Sequence, residues 1–328
     1  MLASSVSWPR QGARVDKISY LGPEGTFTQQ ALFAFAPDAE PCPAPSVDAA
    51  LAAVRSGEID AAVVPIENSV EGGVPGTLDA LAEDNGLHVV GEQLIPVTFV
   101  LAARQGKRIE NLRRVGTHSH AWSQVRGFAR ARIPAAAYVP TPSTAAGAAA
   151  LADGTASFDS TVCAPMTALN YGLQVLAEDI SDYKGAETRF VMVTARGALP
   201  APTGADKTSV VLFQRVDRPG GLAELLGQLT ARGISMIRIE SRPTRSAMGS
   251  YCFSIDFEGH VSDERVGDAL MGFHRICADV RFLGSYPRAD QRPALVAAEV
   301  SDSSFIQARA WLRSLRHPVE EGRWQSHH

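Results

Sequence analysis

A hydroxyl and a guanidinium stand side by side at Thr188-Arg189-Phe190, at the start of an apolar run. Together they could offer a hydrogen-bond donor and a planar cation to an anionic substrate. Adjacent residues of a strand point to opposite faces. Both therefore reach one ligand only where the strand entrance is irregular or lies along a cleft; the alternative is a strand-initiating threonine beside a surface arginine. At Pro65-Ile66-Glu67-Asn68-Ser69, three polar side chains appear abruptly after a run that is apolar through Val64. Ligands bind where strands of α/β sheets end, although Asn68 or Ser69 could equally cap a local turn or the next helix. The turn Gly22-Pro23-Glu24-Gly25-Thr26-Phe27 could present backbone N–H groups to a carboxylate at a helix N terminus. It lacks the Gly-Lys-Ser/Thr ending of a phosphate loop, and a plain strand-to-helix turn fits it as well.

Other chemistries are excluded by what is missing. His118-Ser119-His120 has the spacing that can begin a metal site, but no His, Cys or carboxylate cluster accompanies it, so no metal is expected. No G-x-S-x-G elbow is present, which removes a Ser/His/Asp hydrolase. Cys42, Cys163, Cys252 and Cys277 lie far apart without a C-x-x-C pair, which fits a reducing cytoplasm rather than a disulfide framework. A formal net charge of −4 and the lack of a basic block argue against nucleic acid and anionic lipid as partners. No membrane span or signal peptide is expected, and residues 1–16 are taken as a flexible leader.

The elements that must position these residues alternate between strand and helix. Strands are expected at 17–21, 61–65 and 87–90, and helices at 27–35, 47–55 and 77–84, which implies a mostly parallel sheet covered by helices. A β-rich stretch over 93–101, interrupted by Pro96, opens a second α/β lobe. That lobe has strands near 115–116, 137–139 and 161–164 and helices over 121–131, 143–152 and 165–171. A last strand is expected at 189–194. Two lobes would meet at a cleft, the usual place for a small-molecule site. Residues 196–207, rich in Pro, Gly and Ala, read as a linker between a catalytic region over 17–195 and a small domain over 208–286. The small domain has strand 208–216, helix 222–232, strands 234–241 and 251–258, helix 263–277 and strand 280–286, the ferredoxin-like βαββαβ order. The tail, 287–328, is polar apart from a short amphipathic helix over 305–315.

These segments together resemble the prephenate dehydratase family, its actinobacterial members in particular. The resemblance rests on Tyr20 to Phe27, Val64 to Gly72, Ser143-Thr144-Ala145, Tyr171-Gly172-Leu173, Thr188-Arg189-Phe190 and Glu240-Ser241-Arg242-Pro243. It implies a two-lobed catalytic region like type II periplasmic binding proteins, followed by an ACT domain. The implied reaction converts prephenate to phenylpyruvate with loss of water and carbon dioxide. The ring itself accepts the electrons of decarboxylation, so no cofactor is expected. The resemblance marks Thr188 as the essential threonine and Asn68, Ser69, Thr117, His118, Ser143, Thr144, Arg189 and Phe190 as substrate contacts. It assigns phenylalanine, as effector, to Gly220, Gly221, Leu222, Glu240, Ser241, Arg242 and Pro243, and implies a homodimer or homotetramer. One departure stands out: the family's Ser-His-Pro-Gln stretch reads Thr117-His118-Ser119-His120 here. A decarboxylase-like lyase and a non-catalytic aromatic-amino-acid sensor are the alternatives, and the intact Thr188-Arg189-Phe190 speaks against both.

Overall fold

The structure, a computed structural model, describes residues 16–83, 86–243 and 251–317. Apart from Asp16, the expected leader lies outside the described residues, as does the tail beyond 317. The described chain forms two compact units that divide between Pro200 and Ala201.

The first unit begins with β1 (Lys17–Leu21), α1 (Phe27–Phe35), β2 (Glu40–Ala44), α2 (Val47–Arg55), β3 (Ala61–Asn68), β4 (Gly72–Gly73), α3 (Pro75–Ala82) and β5 (Leu87–Pro96). It continues with β6 (Val100–Ala103), β7 (Arg114–Thr117), α4 (Ser119–Ser123), α5 (Arg126–Arg132), β8 (Ala137–Pro140), α6 (Thr144–Asp153), β9 (Ser160–Cys163), α7 (Pro165–Asn170) and β10 (Gln174–Ala177). Then β11 (Glu187–Ala195) returns to the first lobe. The first sheet has the order β2-β1-β3-β11-β5 with β4 on β3, and the second β10-β6-β9-β7-β8. Helix starts follow side-chain chemistry: Thr26, Ser46 and Ser143 each accept the backbone N–H three residues on, which stops α1, α2 and α6 from fraying. α6 ends at Gly154, whose φ of +85° suits a residue without a Cβ.

The alternating pattern suggested a mostly parallel sheet, and β1, β2 and β3 are parallel. β11, however, inserts antiparallel between β3 and β5. Three strands were absent from the sequence reading, the two-residue β4 and the edge strands β2 and β10. Edges tolerate the two prolines of β2, Pro41 and Pro43, because an N–H is not required on the open side. Pro96 ends β5, itself an edge strand, for the same reason. The helix expected over 121–131 is split into α4 and α5 at Gln124–Val125, with Val125 fully buried. Apolar clusters fill each lobe. Ile18, Tyr20, Leu32, Val63 and Phe190 lie in the first, and Phe99, Leu101, Val115, Val125 and Val162 in the second. Phe27 packs against both, with its ring edge-to-face on Phe99 at 5.8 Å.

The second unit contains β12 (Asp206–Gln214), α8 (Gly221–Thr230), β13 (Met236–Pro243), β14 (Tyr251–Glu258), α9 (Glu264–Ile276), β15 (Cys277–Pro287) and α10 (Asp302–Arg316). Its antiparallel sheet runs β13-β14-β12-β15, the ferredoxin-like arrangement that the βαββαβ order implied. One face carries Val210, Leu212, Ile255 and Phe257 into an apolar cluster with Leu225, Leu229, Val266 and Phe273 of α8 and α9. α10 begins three residues earlier than the sequence suggested, capped by Ser301.

Candidate active site

β3 and β11 bring the two polar runs together. Thr188 pairs with Asn68 and Arg189 with Glu67, and a bulge then shifts the register before Phe190 meets Pro65. The Asn68 carboxamide is held from both ends. Its Oδ1 accepts the backbone N–H groups of Val70 (2.8 Å) and Glu71 (3.2 Å), which fixes the amide orientation and turns Nδ2 toward Thr188. Nδ2 donates to Thr188 Oγ1 at 2.8 Å. The threonine oxygen is thus an acceptor within the protein, and its own O–H has no acceptor among the described residues. Ser69 closes the end of the same ladder: its N–H donates to Glu187 O and its Oγ accepts from Glu187 N, each at 2.9 Å. Asn68 and Ser69 therefore do shape a local turn, as one reading of the sequence had it, and the turn in turn orients Thr188.

Arg189 goes elsewhere. Strand alternation carries it to the face opposite Thr188, where it is 5 % exposed and donates to Glu92 at 2.6 Å and to Glu67 at 3.3 Å. Glu92 is itself 4 % exposed, so this is a buried charge cluster rather than an open carboxylate receptor. Sequence reasoning missed Glu92; the available signal was an acid inside the apolar strand of residues 87–95. Phe190 lies in the first lobe's apolar core at 2 % exposure. Thr117 is fully buried, and its hydroxyl donates to Val162 O at 2.7 Å, which ties β7 to β9. These three expected substrate contacts thus have other employment, because burial commits their side chains to neighbouring strands.

On the second lobe, His118 caps α4, with Nδ1 accepting the His120 N–H at 3.3 Å. That contact leaves the proton of the neutral ring on Nε2. Burial, followed by the neighbouring His120, pushes the His118 imidazole below its ordinary value, with Glu71 opposing. Ser143 caps α6 through Oγ, and Thr144 is that helix's first residue. The turn before α1 is closed by its own side chains: Gly25 N–H donates to Gln29 Oε1 at 2.7 Å, and Thr26 Oγ1 to Leu21 O at 3.2 Å. Thr167 of α7 donates to Gly25 O, which links this turn to the second lobe. Tyr20 is buried beneath it, and burial, with Glu24 and Tyr171 adding, pushes its hydroxyl up to about 12. A depression of about 410 Å³ lined by Trp122, Arg126 and Arg130, among others, includes neither Thr188 nor Asn68, so the site is located by its side chains. Among the described residues no group of three or more His, Cys, Asp or Glu could hold a metal ion. No described helix is long and apolar enough to cross a membrane.

In the second unit, Phe213 and Arg242 both face Cys252 from opposite sides of β14. The turn through Gly220, Gly221 and Leu222 and the strand end Glu240-Ser241-Arg242-Pro243 therefore leave the same end of the sheet. The strands that carry them, β12 and β13, are about 10 Å apart, two strand spacings. Gly220 adopts φ +83° before α8, whose N terminus has no side-chain cap. Leu222 is exposed, and Glu240 lies 3.8 Å from Arg238 Nη1.

Comparison with known proteins decides what this arrangement is. The family described as prephenate dehydratase matches residues 18–198, and that described as ACT domain matches residues 209–273. A prephenate dehydratase of Amycolatopsis methanolica is 44% identical over 304 residues, covering 92% of this chain and 98% of that protein. The chain belongs to the prephenate dehydratase family. The crystal structure of an Arthrobacter aurescens prephenate dehydratase in complex with L-Phe superposes with a TM-score of 0.87 at 50% identity, covering 92% of this chain and 99% of that one. GqqA, described as a novel type of quorum quenching acylases, superposes at 0.75 with 28% identity, covering 84% of this chain and all of that one. The prephenate dehydratase architecture is therefore shared with a protein described by another activity, and the reaction has to be argued from the site.

Proposed function

We propose that this protein is a prephenate dehydratase that converts prephenate to phenylpyruvate, with loss of water and carbon dioxide, in L-phenylalanine biosynthesis. The observation that carries this reading is the Asn68 Nδ2 contact to Thr188 Oγ1, in which the threonine oxygen is the acceptor, so that its own proton is not used by that contact. As the carboxylate carbon departs, its bonding electrons enter the ring and expel the hydroxyl, and the ring becomes aromatic. The barrier lies in the charge gathering on that oxygen. Thr188 donates a hydrogen bond to it and Asn68 holds the donor still, so the stabilisation needs no reorganisation in the transition state. A threonine is too weak an acid to give up its proton near neutrality, and so is a neutral imidazole. The departing hydroxide therefore takes its proton from solvent, while His118 contributes at most a hydrogen bond from Nε2–H. The α6 start at Ser143 and Thr144 favours a substrate carboxylate through its remaining N–H groups. Ser69 orients the same region. Arg189, in this reading, braces β11 from behind instead of binding prephenate. The test is incubation of the purified protein with prephenate and, separately, with arogenate, while phenylpyruvate and phenylalanine are followed. Phenylpyruvate from prephenate supports the assignment; a decarboxylated product that keeps the hydroxyl, or no turnover, contradicts it.

We further infer that phenylalanine regulates through the second unit, at Gly220, Gly221, Leu222 and the Glu240 to Pro243 strand end, with coupling of about 1 to 3 kcal/mol. Support comes from the two segments' shared sheet end and from the L-Phe complex of the Arthrobacter aurescens relative. A cut after Val193 would sever β11, which runs to Ala195 and is followed by an Arg196 N–H contact to Gly86 O. A fragment ending at Pro200 keeps these contacts. It should retain turnover and lose the response to phenylalanine; a preserved response refutes the assignment. Pairing into a homodimer or homotetramer and a cytoplasmic location complete the proposal, and sedimentation of the full chain tests the first.

A further inference from the structure

The turn between β3 and β4 makes two contacts with the second lobe, and both start from the residues that hold Asn68. Val70 packs against the second lobe's apolar cluster. The next side chain, Glu71, places Oε2 2.8 Å from Nδ1 of His120 on α4. The backbone N–H groups of these two residues are the donors that fix Asn68 Oδ1. A continuous chain of contacts therefore runs from His120 through Glu71 and Asn68 to the hydroxyl of Thr188. The His118 and His120 rings meet edge-to-face at 4.7 Å, so the same contact borders the imidazole that caps α4.

We propose that His120 is a positioning residue: its contact with Glu71 latches the first lobe's β3–β4 turn onto α4 of the second lobe, and so holds Asn68 and Thr188 in their working geometry. The proposal rests on the dehydratase reading for its kinetic consequence. His120 touches neither the reacting atoms nor Thr188 in this account; it acts through the backbone of Glu71. The contact is partly exposed, with side-chain exposures of 67% and 31%, so it adds little to overall stability, and its effect is local. Because Thr188 acts on the leaving oxygen as charge gathers there, a loosened latch lowers turnover rather than substrate affinity.

The test uses the full chain and four variants: His120→Ala, Glu71→Ala, the double variant and His120→Gln. His120→Ala should lower kcat roughly three- to fivefold, the size of a partly exposed contact to a carboxylate, with KM nearly constant. Glu71→Ala should match it, and the double variant should lose no more than either single one. Glutamine can still donate to Glu71, so His120→Gln should recover most of the turnover lost in His120→Ala. Amide hydrogen exchange at Val70 and Glu71 should quicken in His120→Ala, a readout that does not require turnover. Unchanged kcat in His120→Ala, a loss confined to KM, additive losses in the double variant, or unchanged exchange would each overturn the latch. If the wild-type protein does not turn over prephenate, the dehydratase reading fails, and the exchange measurement alone decides whether the latch exists.

Discussion

Thr188 and Arg189 are neighbours on β11, but the first keeps an uncommitted hydroxyl proton while the second is closed in by Glu92 and Glu67 on the other face of the sheet. The difference teaches that one strand can separate chemistry from support over a single residue step. On one face, a carboxamide fixed by two backbone donors holds a hydroxyl whose proton no described residue accepts. On the other, opposite charges removed from water hold the central strand in register between β3 and β5.

The largest expected effect breaks the supporting face. Arg189→Met leaves Glu92 buried without its cation and should cost roughly 3 to 5 kcal/mol of stability, read by denaturant unfolding. A stable Arg189→Met protein with a raised KM would instead return Arg189 to the substrate. Thr188→Ala, on the chemical face, should leave unfolding almost unaltered but cut kcat by an amount equivalent to about 2.7 to 4 kcal/mol, with Thr188→Ser recovering part. Asn68→Ala comes next, at roughly 1 to 2 kcal/mol in kcat, since it removes the brace and not the donor. Near-equal losses in stability and turnover for Thr188→Ala would erase the contrast between the faces.

The smallest effect concerns acid stability. Burial lowers His88, with Arg196 adding, and burial followed by His120 lowers His118. Both stay neutral in the folded chain at pH values where the unfolded chain takes up a proton, so the unfolded state binds more protons there. Stability is complete above the ordinary imidazole value of about 6.5 and declines as pH falls below it toward the lowered folded values. His88→Gln should therefore flatten the fall of Tm between pH 7.5 and 5. A steeper fall would show that His88 is stabilised by protonation.

Much of this was legible in the residues. The apolar run over 61–65 placed β3, although the strand continues through Asn68 where polar residues pair with β11, and apolar spacing placed α1 and α2, because periodicity is a local signal. The βαββαβ order of the second unit was readable for the same reason. What escaped depends on partners distant in sequence. Residues 189–194 read as a strand, but the insertion of β11 between β3 and β5 is set by a return from the second lobe that no local period encodes. With that placement hidden, the choice between a shared ligand and separate destinations for Thr188 and Arg189 stayed open, and the burial of Phe190 and the role of Glu92 were hidden. β2 was missed because its prolines oppose strand propensity, which an edge position overrides. His120 drew notice as half of a metal-like pair, while its partner proved to be Glu71, across the cleft.

The central claim is that Asn68 and Thr188 act as one unit, the amide fixing the hydroxyl that meets the leaving oxygen. A double-mutant cycle on kcat with prephenate tests this most directly, using Asn68→Ala, Thr188→Ala and the two combined. Once the hydroxyl is gone, the brace has nothing to hold, so adding Asn68→Ala to Thr188→Ala should change kcat by less than about twofold, within the usual error of additivity. Losses that multiply, each variant costing as much in the other's background as in the wild type, would contradict the account and assign Asn68 and Thr188 separate roles.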